Sequence, residues 1–481
     1  MKKNEIYDYI DKNQSIFIDV NDKVWDYAET AFEEVRSMAC ISEALEKFGF
    51  TVEKGIGDIP TAFLGSYGSG YPVIGILGEY DALSGLSQTA SCIEKKAIIE
   101  GGNGHGCGHN SLGAGSLAAA VAVKEYLAKN GKNGTIKYFG CPGEEGGSGK
   151  TFMVREGVFK DVDIALTWHP GNYNSAADLS LLANYQINYI FKGRSSHAAA
   201  APHYGRSALD ALELMNVGVQ FLREHIIPEA RIHYAITNTG GFSPNVVQSE
   251  AEVVYLIRAP KLNQVEEIYQ RVNKIAQGMA MATETEVKID FIKACANIVP
   301  NKILSNLLDK NLREAPIPSY TEEELSFAKS LDDTIPSKQN IGERLSGKDA
   351  EKFISLMKDK NLFDSIMPYY HEREVPVLPG SSDVGDVSWV VPTGQIGTAC
   401  TTIKTMAHTW QFVSIGRTSI AHKGMLYAAK TLAGAAIDIL ENDTIILEAK
   451  DELKRRLDDN KYSSPIPNEV KPRALSSIAS H

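Results

Sequence analysis

The chain has 481 residues, 43% of them hydrophobic and 23% charged, which is the composition of a globular protein large enough for two or three domains. Its 49 lysine and arginine residues stand against 60 aspartate and glutamate residues, and the formal net charge of −11 argues against nucleic acid or an anionic membrane as a partner. The six cysteines are scattered without CxxC spacing, so the sequence favours a reducing, cytoplasmic location over a disulfide framework.

Helices and strands are predicted to alternate along the first third of the chain. The first residues lack the apolar core of a secretory signal, and no apolar run in the sequence is long enough to span a membrane. Strands that alternate with helices indicate a mostly parallel α/β sheet, which binds its ligands beyond the carboxyl ends of the strands. Apolar spacing predicts helices over 22–48, 111–127 and 150–156, and strands over 73–77, 134–140 and 161–168.

Side chains that can bind a metal stand at the ends of these predicted elements. They are Glu79 and Asp81 after the first strand, Glu144 and Glu145 after the second, His169 after the third, and Cys107 and His109 just before a helix that packs on the same sheet. Because the carboxyl ends of parallel strands share one edge of a sheet, we expect these side chains to converge. Thiolate, imidazole and carboxylate groups together suit a borderline divalent cation such as Zn²⁺ or Mn²⁺.

The spacing of these residues predicts separate chemical tasks. Cys107 and His109 are two residues apart, so in an extended loop both reach the same site, and a thiolate sulfur can bridge two ions. Glu145 and His169 would add ligands from neighbouring strand ends. Glu144 is placed to take a proton from the attacking water, whose pKa a metal lowers to about 7.

Each part of this pattern has a simpler explanation when it is taken alone. A single histidine is more often structural than a ligand, a Glu-Glu pair usually lies on a solvated face, and a CGH triplet often forms a buried turn. A Cys-His protease or a redox thiol would leave Glu144, Glu145 and His169 unexplained. The combination at strand ends therefore favours the metal site.

The pattern changes from about residue 182 onwards. The order strand, helix, two strands, helix, strand is typical of a small α+β domain of the ferredoxin-like kind. Apolar strand and helix segments then resume, which indicates an insertion. The predicted limits are 1–185 for the first part of a catalytic domain, 186–295 for an inserted lid or dimerisation domain, and 296–481 for the second part, with a charged helical insertion at 303–370.

The chain resembles the M20-type metallopeptidases, in the amidohydrolase branch that carries a CGH motif. The resemblance covers nearly the whole sequence. It implies a mostly parallel-sheet peptidase domain with two divalent metal ions, Zn or Mn, and an inserted lid or dimerisation domain. The segments that carry it are GEYDALSGLSQ, GHGCGHN, CPGEEGGSGK, WHPG, GRSSHAAAAPHYGRSALDA, GGFSPNVVQSEAEVVYLIR, PGSSDVGDVSWVVPT and MAHTWQFVSIGRTSIAHKGM.

The resemblance also implies a role for individual residues. Glu79 stands where other branches place a metal-binding histidine, which leaves the ligand count open. His408 is favoured over His422 as the last ligand because of its distance from the final helix. The implied set is Cys107 as the bridging ligand, His109, Glu145, His169 and His408 as further ligands, Glu144 as the general base, Asp81 as the acid that orients a ligating imidazole, His197 as the histidine that reaches the partner subunit's site and steadies the oxyanion, and Asn245 and Arg258 as groups that hold the substrate carboxylate.

The expected activity is hydrolysis of the amide bond in a small N-acyl amino acid, with an aroyl-glutamate such as p-aminobenzoyl-glutamate as the favoured substrate. The alternatives are a dipeptidase, another N-acyl-amino-acid deacylase, or a non-catalytic partner subunit of a hetero-oligomeric amidohydrolase. The resemblance implies a homodimer, or a hetero-oligomer with a related subunit.

Overall fold

The computed structural model describes residues 1–336, 350–369, 375–474 and 476. The strands are β1 (Thr51–Lys54), β2 (Phe63–Ser69), β3 (Val73–Glu79), β4 (Gly134–Cys141), β5 (Ile164–Gly171), β6 (Ser175–Ala176), β7 (Ser180–Leu181), β8 (Ala183–Lys192), β9 (Arg231–Asn238), β10 (Glu250–Ala259), β11 (Glu286–Cys295), β12 (Val377–Leu378) and β13 (Thr393–Ala399). The helices are α1 (Lys3–Lys12), α2 (Gln14–Tyr27), α3 (Val35–Lys47), α4 (His109–Asn130), α5 (Gly149–Arg155), α6 (Ala208–Leu222), α7 (Leu262–Ala282), α8 (Lys302–Glu314), α9 (Glu322–Asp332), α10 (Ala350–Met357), α11 (Val384–Val390), α12 (Trp410–Ile415), α13 (Ser419–Glu441) and α14 (Thr444–Leu457).

The chain forms two compact units. Unit 1 comprises Met1–Leu179, Val299–Pro376 and Val387–Tyr462, and unit 2 comprises Ser180–Ile298, Val377–Asp386 and Ser463–His481. The predicted lid domain, 186–295, lies within unit 2. Its limits as an independent domain stay a prediction.

The centre of unit 1 is a sheet with the strand order β1-β2-β4-β3-β5-β13-β6. The four inner strands β4, β3, β5 and β13 are parallel, while β1, β2 and β6 add antiparallel edges. Helices α4 and α13 pack on each other and on the inner strands. The predicted mostly parallel α/β class is therefore confirmed.

Glycines let α4 start close to the strand ends. Gly108, just before the helix, has a φ of +79°, a left-handed backbone conformation that residues other than glycine rarely adopt. A Cβ on Gly113 would lie 2.7 Å from the carbonyl oxygen of Glu79, so only glycine lets the helix approach β3 this closely. The small residues after His109 thus press the start of α4 against the end of β3.

The predicted single helix over 22–48 is wrong in its middle. Helix α2 ends at Tyr27 and α3 begins at Val35, and Ala28 and Phe32 between them have φ values of +43° and +63°. Apolar spacing continues through this break because Ala31 is buried like the helix faces on either side. Contacts with distant loops, described below, decide the conformation of residues 28–34.

Unit 2 contains an antiparallel sheet in the order β11-β8-β10-β9. Helices α6 and α7 pack on this sheet and on each other. The chain order β8-α6-β9-β10-α7-β11 is the ferredoxin-like arrangement that the sequence predicts.

The predicted charged insertion, 303–370, is partly helical where it is described, with turns and irregular segments between the helices. It contains α9, α10 and most of α8, while 337–349 and 370 lie outside the described residues. Within the described ranges, no helix combines the length and the apolar character needed to cross a membrane.

Candidate metal centre

The predicted metal-binding side chains lie at one edge of the sheet in unit 1. Glu79 is the last residue of β3, His169 lies near the end of β5, and His109 is the first residue of α4. Glu144 and Glu145 follow β4 in the turn that leads to α5. Parallel strands bring these side chains together, as the strand-end rule predicts.

The candidate ligand atoms form three overlapping groups, within each of which the atoms lie no more than 4.8 Å apart. Sγ of Cys107 belongs to two of these groups, and so does His109. A sulfur shared by two neighbouring groups is the arrangement expected of a bridging ligand. The groups are Cys107, His109 and His169; Cys107, Glu145 and His408; and Glu79, His109 and Glu144.

Asp81 fixes the orientation of His109. Its Oδ1 atom lies 2.9 Å from Nδ1 of His109, and its Oδ2 atom accepts the backbone N–H of Glu145 at 2.9 Å. One carboxylate therefore sets both an imidazole and the turn after β4. The buried Nε2 atom of His109 has no hydrogen-bond partner of good geometry among the described residues and faces the cluster, as a metal-ligating nitrogen would.

His169 presents its other nitrogen to the same place. Nδ1 lies 2.8 Å from the carbonyl oxygen of Pro170, and Nε2 lies 3.5 Å from Sγ of Cys107. Burial lowers the pKa of His169, with the positive charge of His109 adding to the effect, so the ring is neutral and Nε2 is available as a ligand.

His408 joins the cluster and His422 does not. Nε2 of His408 lies 3.2 Å from Oε1 of Glu145, whereas Nε2 of His422 lies 2.8 Å from Oδ1 of Asp22 on α2. Burial opposes the ionisation of Glu145, but the hydrogen bond from His408 and the charge of His109 outweigh it and hold the pKa of Glu145 at about 2. The bond to Glu145 in turn raises the pKa of His408.

These donors fit a divalent cation. Burial raises the pKa of the Cys107 thiol, and the neighbouring Glu145 raises it further, so a thiolate here needs a positive charge beside it. A bound cation supplies that charge, since metal binding replaces the protons of its ligands. Sulfur, imidazole nitrogen and carboxylate oxygen are together the donors that zinc and similar ions accept.

A buried ion pair that the sequence did not reveal stands beside this cluster. Nζ of Lys150 lies 2.6 Å from Oε1 of Glu79, and the two side chains are 0% and 3% exposed. The second oxygen of Glu79 lies 3.3 Å from Nε2 of His109. The available signal was a lysine in the otherwise apolar first turns of α5, GKTFMVR.

His105, in the same motif as Cys107, is not part of the cluster. Its Nε2 atom lies 2.9 Å from the carbonyl oxygen of Val24, and burial lowers its pKa to about 4. It joins the loop before α4 to α2 as a neutral ring.

The remaining predicted residues belong to unit 2. His197 and Asn245 are exposed on adjoining loops, where the N–H of Ala198 donates to the carbonyl oxygen of Asn245 at 2.9 Å. Nδ1 of His197 accepts the backbone N–H groups of Ala199 and Ala200, so this ring also makes the local loop contact expected of a structural histidine.

Arg258 lies on β10 and is half-buried. Its Nη1 atom is 3.5 Å from the carbonyl oxygen of Pro379 and 3.4 Å from Oγ of Ser381. Its buried Nε atom has no hydrogen-bond partner among the described residues. The guanidinium thus keeps donors available for another acceptor.

Comparison with known proteins identifies the family. Residues 75–300 match the profile of peptidase family M20/M25/M40. The chain is 49% identical over 480 residues to one of the subunits of p-aminobenzoyl-glutamate hydrolase from Escherichia coli strain K12, covering 98% of this chain and 99% of that protein. The chain belongs to peptidase family M20/M25/M40. As a member of the M20 family it is a hydrolase that acts on amide bonds.

Two further comparisons place this M20 protein among its relatives. It is 28% identical to a Xaa-Arg dipeptidase of Mus musculus, covering 91% of this chain and 88% of that protein. A solved structure of a dinuclear metal-binding M20 peptidase from Bacillus subtilis superposes with a TM-score of 0.53 at 16% identity, covering 89% of this chain and 99% of that chain. The fold, with the donor cluster, supports binding of divalent metal.

Proposed function

We propose that this M20 hydrolase cleaves the amide bond of an N-acyl amino acid at a two-metal centre, with p-aminobenzoyl-glutamate or a related acyl-glutamate as substrate. The observation that carries this proposal is the overlap of the ligand groups on Cys107 and His109. The substrate is inferred from the Escherichia coli relative, which is named for p-aminobenzoyl-glutamate.

The metal ligands proposed are Cys107 as the shared ligand, with His109, Glu145, His169 and His408. When bound, divalent ions activate water and polarise the scissile carbonyl. The thiolate favours zinc, with manganese as the alternative. A thiolate ligand also requires the cysteine to stay reduced, which supports a cytoplasmic setting.

The proton transfers are proposed for Glu144. Its carboxylate accepts the proton of the attacking water and then delivers it to the leaving amine. Asp81 holds His109 and the Glu145 backbone in place while this happens. In a dimer, His197 reaches the site of the other subunit and donates to the oxygen that becomes negative as the carbonyl is attacked.

Assay of the purified chain by itself tests this function. We expect hydrolysis of p-aminobenzoyl-glutamate that a chelator abolishes and that added Zn²⁺ or Mn²⁺ restores. Metal analysis would then give the ion and its stoichiometry. Faster turnover of Xaa-Arg dipeptides, the alternative that the mouse relative favours, would overturn the substrate class. No activity in a metal-loaded, folded sample would indicate a chain that needs a second subunit.

Arg258 is proposed to bind the free carboxylate of the substrate, because a guanidinium fork meets a carboxylate with two parallel hydrogen bonds. Arg258→Ala is expected to raise KM about tenfold to a hundredfold for acyl-glutamates. KM for the matching α-amide should change little. The control is Arg231→Ala, because Arg231 lies opposite Arg258 on β9 and already donates to Pro228 and Ala230. If Arg258→Ala raises KM equally for the acyl-glutamate and for its α-amide, Arg258 does not bind the substrate carboxylate.

Self-association is proposed to use unit 2. Leu214, Val217 and Phe221 lie on one face of α6 and are 44%, 52% and 71% exposed, a stripe of apolar side chains of the kind that interfaces cover. The double change Val217→Asp and Phe221→Asp is expected to convert a dimer to a monomer in light-scattering measurements. Leu447→Asp, at a residue 64% exposed on α14, is the control and should leave the dimer intact.

The description of the Escherichia coli relative as one subunit of an enzyme supports a second form of assembly, with a related chain. If the wild-type protein is monomeric by light scattering and becomes a larger species only with a second M20 chain, the homodimer is wrong and the hetero-oligomer stands.

A further inference from the structure

The segment 28–34, where the predicted helix breaks, lies between two loops of the metal centre. The backbone carbonyl of Glu29 accepts the N–H of Ala82 at 2.7 Å, next to Asp81. Oε1 of Glu34 accepts the N–H of Gly143 at 2.8 Å, next to Glu144. A single short segment is thus hydrogen-bonded to the loop after β3 and to the turn after β4.

Packing reinforces the second contact. The ring of Phe32 fills the space that glycines leave in the turn: a Cβ on Gly143 would lie 2.9 Å from the ring, and one on Gly147 would lie 2.3 Å from it. Phe32 itself has a φ of +63°. A non-glycine residue there costs about 1–3 kcal/mol and persists only where its surroundings demand it. The strained backbone of Phe32 aims both its ring and Glu34 at the turn.

Glu34 is fully buried, which is unusual for a carboxyl group. Burial, and next the negative charge of Asp81, raise the pKa of Glu34 from 4.5 to about 8. The side chain is therefore neutral at neutral pH, and its carbonyl-type oxygen serves as a hydrogen-bond acceptor without adding a charge beside Asp81. Tyr80 is a second titratable group near Glu34: burial, and next Glu34, raise the pKa of its phenol.

We propose that Glu34 is a positioning residue for amide hydrolysis: its carboxyl oxygen holds Gly143 and so sets the turn that presents Glu144 and Glu145 to the metal centre. This inference rests on the proposed roles of Glu144 as base and Glu145 as ligand. The contact with Gly143 can be tested without them.

The test compares Glu34→Leu, which removes the acceptor, with Glu34→Gln, which keeps a neutral oxygen in the same place. Glu34→Leu is expected to lower kcat about 10²-fold, the cost of a misplaced catalytic group, with KM nearly unchanged. Glu34→Gln should restore most of kcat. The matched control is Glu452→Leu, because Glu452, on α14, is another buried glutamate whose side chain accepts a backbone N–H, from Ile303 at 3.1 Å.

Amide hydrogen exchange over 142–149, measured by mass spectrometry, is the readout that does not depend on catalysis. Exchange should quicken in Glu34→Leu and stay as in wild type in Glu34→Gln and Glu452→Leu. Unchanged exchange in Glu34→Leu would overturn the proposed contact. Quickened exchange with wild-type kcat would overturn the positioning role, and a loss of kcat in Glu452→Leu equal to that in Glu34→Leu would show a general loss of structure.

The pH profile separates positioning from packing. As pH rises past about 8, Glu34 ionises beside Asp81, and the wild-type enzyme should lose kcat relative to Glu34→Gln. The free energy of unfolding should change with pH in the same direction as kcat. Because the pKa of Glu34 is raised in the folded protein, its contribution to this free energy is complete below about pH 4.5 and is lost as the pH rises through about 8. Parallel profiles for the two proteins would contradict a neutral Glu34.

If Glu34→Leu does not fold, Glu34→Asp, which withdraws the oxygen by one methylene, takes its place in every measurement.

Discussion

Glu144→Gln is expected to lower kcat by about 10²–10⁴-fold while the protein keeps its metal and its melting temperature. The glutamine has nearly the shape of glutamate, but its amide cannot accept the proton of the attacking water. Glu144 lies with Glu79 and His109 in one of the three ligand groups, so it is close enough to the centre to make this transfer. Steady-state kinetics, metal analysis and thermal melting on the same sample measure the three quantities.

The adjacent Glu145 is the matched control for Glu144. Glu145→Gln removes a proposed ligand, so it should lower metal content as well as activity, whereas Glu144→Gln should lower activity alone. A near-wild-type rate in Glu144→Gln would refute its role as base. Loss of metal from Glu144→Gln would instead make Glu144 a ligand and leave the base to be found.

Of the substitutions proposed for this protein, Lys150→Met should lower the free energy of unfolding the most. The change removes the ammonium partner of one oxygen of Glu79, a carboxylate 3% exposed at the end of β3, and breaking a buried ion pair costs about 3–5 kcal/mol. Urea titration followed by a probe in unit 1 measures the free energy of unfolding. The double variant Lys150→Met with Glu79→Gln should recover much of the loss, because the uncompensated charge is gone.

Lys430→Met provides the comparison for Lys150→Met. Lys430 is also buried, but its partner Asp11 is 46% exposed and can be solvated by water when the lysine is lost. The free energy of unfolding should therefore fall much less than in Lys150→Met. A Lys150→Met protein as stable as wild type would show that Glu79 does not depend on its neighbouring ammonium.

The sequence by itself determined the class of the fold and the convergence of ligand-type residues at one edge of the sheet. Unbroken apolar strands alternating with helices indicate a buried parallel sheet, and ligand-type residues at strand ends must then share an edge. That rule predicts the positions of four of these residues, because the strand or helix next to each one can be predicted from neighbouring residues in the chain. They are Cys107, His109, Glu145 and His169. The ferredoxin-like order in unit 2 is equally visible, since it needs only the succession of helices and strands.

Only the tertiary structure decided the features that depend on segments far apart in the chain. Apolar spacing runs through residues 28–34 as if they were helical, yet Glu34 and Phe32 leave the helix to contact the turn after β4. The sequence favours His408 over His422 only by its distance from the last helix, and the contacts of His408 with Glu145 and of His422 with Asp22 separate the two. In the sequence, Lys150 stands at the end of a glycine-rich turn, and only the structure shows its ion pair with Glu79 on β3. In each case the deciding energy is a hydrogen bond, an ion pair or a packed ring between distant segments, and such contacts leave no periodic trace in the sequence.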